Sequence, residues 1–335
     1  MSGLDPASRK YSKEVTPVLT SSHLDPYWKR LFRNMKTKYE LYLFVLPALI
    51  TLILFHYAPI YGLQIAFKDF VPFQGILGSD WVGLKHFVRF VGSYQFWDLI
   101  KNTALLSLYI ILFTFPLPVF LAILVNQLKD GLFKKSVQTI AYMPHFISSV
   151  VVVGMLLVFL SPRSGVINHL IEMFGGERFL FMGSEGWFRP LFVLSEIWQQ
   201  TGWDSIIFIA ALSTIDQHLY EAARVDGASR WKQILHIDLP MLVPTMLIIF
   251  ILKVGYVTSA GSAGLGPIAE KALLMQNDLN IGASEVIATY VYKIGLKSQQ
   301  YSYSAAIGLF NTFIAFAIVA TLNKLAKKYG GSSLW

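Results

Sequence analysis

Between Glu196 and Asp204 the chain gathers carboxylates, amides and indoles in one short stretch: Glu196, Trp198, Gln199, Gln200, Trp203 and Asp204, with Thr201 among them. Carboxylates and amides hydrogen-bond hydroxyl groups, and an indole face suits the apolar face of a sugar ring, so this set could line a path for a saccharide. The same groups could equally bond helices of neighbouring subunits to one another. A second polar stretch runs from Glu221 to Pro240, EAARVDGASRWKQILHIDLP. Glu221, Ala222 and Ala223 favour a helix, Asp226-Gly227 is a turn pair, and Gly227 tolerates the left-handed conformation that reverses a chain. Ile234, Leu235, Ile237 and Leu239 then return an apolar face. The pattern predicts two short helices around a glycine, with Pro240 ending the second and opening the next apolar segment. Taken alone, Glu221 at a helix start and the turn need have no role beyond capping and reversal.

Other chemistries are missing from the sequence. It has no G-x-x-x-x-G-K-[ST] loop for nucleotide phosphates, no G-x-S-x-G and no H-E-x-x-H, and its seven histidines are scattered. His56 and His145 read as helix-packing or interface residues rather than metal ligands. With no cysteine there is neither a disulfide nor a thiolate site. No cofactor is expected in this chain.

The elements that must position these residues lie in a membrane. Of 335 residues 54% are hydrophobic and 14% charged, with a mean hydropathy of +0.52, too apolar for a soluble domain. Crossing the hydrocarbon core takes about 20 apolar residues. Six stretches qualify, at 41–65, 102–126, 137–161, 189–213, 241–260 and 303–323. The fold class is an all-α polytopic bundle with six transmembrane helices. Pro47, Pro59, Pro116 and Pro118 are expected to kink spans, with neighbours satisfying the freed carbonyls. Polar groups inside hydrocarbon should face the bundle interior or a water-filled cavity, which applies to the Glu196–Asp204 set and, less strongly, to Asn102 and Asn311.

Basic residues concentrate before the first span (Arg9 to Lys38), around Lys129 to Lys135, in the Arg224 to Lys232 stretch and at Lys324 to Lys328. By the positive-inside rule both termini are cytoplasmic. The net charge of +8 is therefore topological, and no basic groove interleaved with aromatics calls for nucleic acid. Residues 1–40 divide into a polar tail and an interfacial helix candidate from Tyr27 to Leu43, where aromatics alternate with lysine and arginine. They are too long and polar for a signal-peptide leader, so the first span is expected to stay in the mature protein. Residues 41–328 form the transmembrane domain and 329–335 a cytoplasmic tail. Aromatics in the outward loops, among them Phe87, Phe90, Tyr94, Phe96, Trp97, Phe179, Phe181, Trp187 and Phe188, are expected to anchor the membrane interface.

The loop resembles the EAA loop of the membrane-spanning subunits of ATP-binding-cassette importers: glutamate, two alanines, a glycine, then I-x-L-P. One departure is Ile234, where an aromatic is expected. Stretches such as FHYAPIYGLQIAFKDF, FPLPVFLAILVN and YSYSAAIGLFNT are similar to the permeases of polysaccharide and oligosaccharide importers, so the resemblance covers about residues 41–328. It implies a type I importer fold in which 221–240 is the coupling loop that docks on an ATPase. Glu221 would pair with a basic group there, Ala222 and Ala223 would permit close approach, and Gly227 would supply the bend. Arg224, Asp226, Ile234, Ile237, Leu239 and Pro240 complete the motif. The resemblance further implies two ATPase subunits holding ATP and magnesium, a second related permease, an extracytoplasmic solute-binding protein, and a saccharide substrate, an alginate-like polymer included. The chain itself would not be an enzyme, and its location would be the bacterial cytoplasmic membrane, among its lipids. An ion-coupled secondary transporter is the alternative, although Glu196 and Asp204 are its only acidic span candidates and no repeat is visible. Ser259 to Gly266, SAGSAGLG, departs from the aromatic-rich loop the family predicts. It reads as a flexible linker, either natural or engineered.

Overall fold

The computed structural model describes residues 37–259, 266–331 and 333–334. The predicted polar tail, most of the predicted interfacial helix, and residues 260–265 of the small-residue stretch lie outside the described residues. Helix α1 (Tyr39–Phe67) leads to a two-stranded antiparallel ribbon, β1 (Lys68–Asp69) with β2 (Asp80–Trp81), and to α2 (Lys85–Val91). Then come α3 (Phe96–Asn126), α4 (Leu132–Phe146), α5 (Ser149–Phe159), α6 (Val166–Met173) and α7 (Glu185–Ser213). The short α8 (Gln217–Val225) precedes α9 (Arg230–Ser259), followed by α10 (Pro267–Met275), α11 (Ile287–Tyr292) and α12 (Tyr301–Gly330). The chain divides at Gly62 into two units, and every site below belongs to the second, Leu63–Trp335.

The all-helical membrane class holds, with a different account of the spans. Among the described residues α1, α3, α9 and α12 are each long and apolar enough to cross a membrane. A fifth crossing exists if α4 and α5 count as one, and these two helices meet at 95°. The third predicted span is therefore broken rather than continuous. Ile147 is extended, Ser148 caps α5 by accepting from the Val151 amide, and the break leaves carbonyls that another helix must satisfy. Helix α7 has 29 residues, ample length, but its Glu196–Asp204 stretch makes it too polar to qualify on composition.

That helix organises the bundle. Its first half packs Phe188, Leu191, Phe192 and Val193 against Leu106 and Ile110 of α3, Val153 of α5, Val257 of α9 and Ala272 of α10. Its last turns bury Phe208 and Leu212 against Val119, Ala122 and Ile123 of α3 and Leu242 of α9. The polar stretch lies between these two apolar cores. Opposite the middle of α7, the α4 backbone comes so close that a Cβ at Gly202 would overlap the Ala141 carbonyl, so only glycine fits there.

The outward aromatics divide, which corrects their reading as interface anchors. Phe90 and Phe96 are buried with Tyr290, Tyr303 and Ile307, and Phe181 and Phe188 belong to the first core, whereas Tyr94 and Trp97 are exposed. Their edge-to-face contacts, 5.1 Å between the Phe90 and Phe96 centroids, close the end of the bundle. The predicted proline effect is visible at Pro118. It cannot donate to the Thr114 carbonyl one turn back, and Lys253 Nζ of α9 donates there instead at 3.3 Å. At the far end α12 runs to Gly330, and the Leu334 amide donates back to Asn323 Oδ1 at 2.8 Å.

Candidate functional site

Four of the six polar residues predicted on α7 line one cavity of about 420 Å³: Glu196, Gln200, Trp203 and Asp204. Thr114 of α3, His145 in the last, 3-10 turn of α4, and Lys253 and Tyr256 of α9 complete its polar wall. His145 lies flat on Trp203, ring centroids 4.3 Å apart and 4° from parallel, and its Nδ1 is 2.8 Å from Gln200 Oε1. This histidine is a cavity residue as much as a packing one. Lys253 Nζ donates to Asp204 Oδ2 at 2.7 Å, so two charged groups at the cavity wall neutralise each other across α7 and α9. Glu196 is buried, with Oε1 3.8 Å from the ammonium of the fully buried Lys271, while Oε2 has no partner. The wall thus presents the paired Asp204 carboxylate and Lys253 ammonium, the Gln200 amide and a stacked aromatic face, groups that hold hydroxyls and ring faces, while the unpaired Glu196 oxygen is buried behind it.

The other two predicted residues are elsewhere. Gln199 is buried; its Nε2 donates to the Ile147 carbonyl at 2.6 Å and its Oε1 accepts from Lys271 at 3.4 Å. It satisfies the break between α4 and α5 and does not line the cavity. Trp198 lies on the opposite face of α7, in an apolar recess of about 600 Å³ with residues of α5 and α6. The cause is helical geometry: at 100° per residue, six residues spread over nine positions cannot share one face. Asn102 and Asn311 are interhelical clips. Asn102 donates to the Gly282 and Glu285 carbonyls and accepts from Arg189, and Asn311 donates to the Thr258 carbonyl.

The second polar stretch forms the predicted pair of helices. Asp216 caps α8 by accepting from the His218 amide. At its other end Gly227 has φ +73°, the Ala228 amide donates to the Ala223 carbonyl at 2.8 Å and the Gly227 amide to the Arg224 carbonyl at 3.1 Å. These two bonds are a Schellman termination, which needs the left-handed residue that glycine supplies without strain. Ser229 then caps α9. Glu221, Ala222, Arg224, Asp226 and Gly227 are exposed and Ala223 is half-buried, so one edge of α8 and the turn faces outward. Ile234, Ile237 and Leu239 are half-buried against the core that holds Val119 and Phe208. The predicted role of Pro240 is corrected: no helix ends there. A π-turn at Ile234–Asp238 absorbs the missing donor and α9 continues through Pro240 and Pro244 to Ser259.

Sequence reasoning missed Lys253, Tyr220 and Asp238. Lys253 is a lysine within an apolar span, a signal in itself. Asp238 is fully buried between two apolar neighbours; Tyr220 donates its hydroxyl to Oδ1 at 2.5 Å and Gln127 Nε2 donates to Oδ2 at 3.3 Å. Burial, reinforced by the adjacent carboxylate, holds the Tyr220 phenol well above its ordinary range, so it remains a donor.

Residues 99–326, which include both the cavity and the whole 221–240 stretch, match the family model described as binding-protein-dependent transport system inner membrane component. The chain belongs to this family. The permease is thus an inner-membrane component of a transport system, and ATP hydrolysis belongs to separate subunits. It is 44% identical over 307 residues to the polygalacturonan/rhamnogalacturonan transport system permease protein YteP of Bacillus subtilis (strain 168), covering 92% of this chain and 94% of that one. It is 38% identical to protein LplB of the same organism, over 96% of this chain and 98% of that one. A chain in the crystal structure of a bacterial alginate ABC transporter, in complex with an alginate pentasaccharide-bound periplasmic protein, superimposes with a TM-score of 0.81 at 37% identity. That match covers 91% of the permease and all of the other chain. None of this supports an ion-coupled carrier.

Proposed function

We propose that this permease carries an acidic poly- or oligosaccharide into the cytoplasm, driven by ATPase subunits that engage the 221–240 loop. The observation that carries the reading is the cavity on α7, where Glu196, Gln200, Trp203, Asp204 and Lys253 offer groups for hydroxyls, carboxylates and ring faces. The names of the relatives, which concern polygalacturonan, rhamnogalacturonan and alginate, support the substrate class. In this account two ATPase subunits bind ATP and magnesium, a second related permease completes the pore, and a solute-binding protein delivers substrate from outside. Both termini are then cytoplasmic, on the side of the loop. ATP-driven closure of the ATPases draws the loops together and turns the cavity outward. The two states differ in free energy by what ATP binding supplies at the loop.

The test is uptake of a uronate oligosaccharide by proteoliposomes holding the assembled importer. Uptake is expected to require ATP and the binding protein, and to stop with vanadate. Trp203→Ala lowers it about two- to tenfold, the ~0.5–1.5 kcal/mol of an aromatic contact. Uptake that survives vanadate and follows an ion gradient would overturn the reading, and full uptake by a Gln200→Ala, Trp203→Ala variant would remove the cavity from the path.

A further inference from the structure

Tyr220, Gln127 and Asp238 come from three parts of the chain and meet at one buried point. Asp238 is the last residue of the π-turn in α9, Tyr220 belongs to α8, and Gln127 caps the end of α3. A carboxylate shut away from water needs a donor on each oxygen, and here the Tyr220 hydroxyl serves Oδ1 while the Gln127 amide serves Oδ2. The bond between Tyr220 and Asp238 spans 18 positions and closes the excursion that holds Gly227. The two helices and their turn are therefore one closed unit, tied at its base to α3. The tie also has an outlet: α9 runs on from Asp238 to Lys253 at the cavity, about 22 Å at 1.5 Å per residue.

We propose that Tyr220 and Asp238 are positioning residues that pass displacement of the loop to α9 and from there to the cavity. The inference rests on the coupling reading of the loop. The exposed edge of α8, with Glu221, Ala222 and Arg224, meets the ATPase; the Tyr220–Asp238 bond makes the loop and α9 move together. Without the bond the ATPase still docks, and its movement is taken up by bending at the turn around Gly227 instead of by α9.

Tyr220→Phe removes only the hydroxyl and keeps the packed ring. In proteoliposomes holding the complete importer, the readouts are the saccharide imported per ATP hydrolysed and the amount of ATPase retained. For Tyr220→Phe, ATPase retention is unchanged and transport per ATP falls at least about fivefold, the low end of coupling between sites. Asp238→Asn, whose amide oxygen still accepts from Tyr220 while its NH2 donates to a flipped Gln127 Oε1, keeps most of the ratio. An unchanged ratio in Tyr220→Phe overturns the proposal. So does loss of the ATPase from that variant, since the pair would then shape the docking surface rather than transmit motion. If Gly227→Pro also leaves the ratio intact, the coupling reading itself fails; if only Tyr220→Phe does, the pair alone is ruled out.

Discussion

Lys253 joins three helices through one ammonium, donating to Asp204 of α7 and to the Thr114 carbonyl of α3 that Pro118 leaves free. Replacing it with methionine strands a carboxylate and a carbonyl together. Lys253→Met is expected to cost about 2 kcal/mol, below the ~3–5 kcal/mol of a fully buried pair because the cavity admits water to both partners. Thermal unfolding of the purified variants measures this, and the double variant Lys253→Met, Asp204→Leu should recover much of the loss; a double variant less stable than the single would contradict the pairing. Residues of this kind mark the limit of reading a single sequence. Glu196, Gln200, Trp203 and Asp204 stood out because polar groups crowd an apolar stretch, yet their sharing of a wall with His145 and Lys253 depends on contacts across 49 and 55 positions. Nothing local announces such contacts.

At the scale of elements, the helix pair around Gly227 was legible from helix-forming residues on either side of a left-handed glycine, but its start was misplaced: Asp216 caps α8, so Glu221 lies in mid-helix rather than at the helix start. The run of valines after Ser149 hid the break before α5. Apolar length argued for one span, although Ser148 ahead of that run is a helix-start signal. The break persists because Gln199 of α7 donates to the Ile147 carbonyl. Gln199→Leu leaves that carbonyl unpaired and costs about 1–3 kcal/mol. The variant should import less only in proportion to the folded protein recovered, whereas Trp203→Ala lowers the rate per folded importer. Equal loss of rate per folded importer in both would place Gln199 in the path after all.

The whole molecule sets two sites on shared helices. Helix α9 carries Asp238 at the loop and Lys253 at the cavity, while α7 carries the cavity wall and continues towards α8. On the coupling proposed above, movement at one end of such a bundle becomes a change of cavity shape, in keeping with a family of inner-membrane components. Its function is then defined by what it holds. The decisive measurement is purification of the tagged permease from its native membrane in mild detergent, with mass spectrometry of the retained proteins, for wild type and for Gly227→Pro. The wild type is expected to retain an ATPase carrying a phosphate-binding loop, and the variant a second permease without that ATPase. A wild type that retains no ATPase, or a variant that retains it in full and still imports, would contradict the coupling reading.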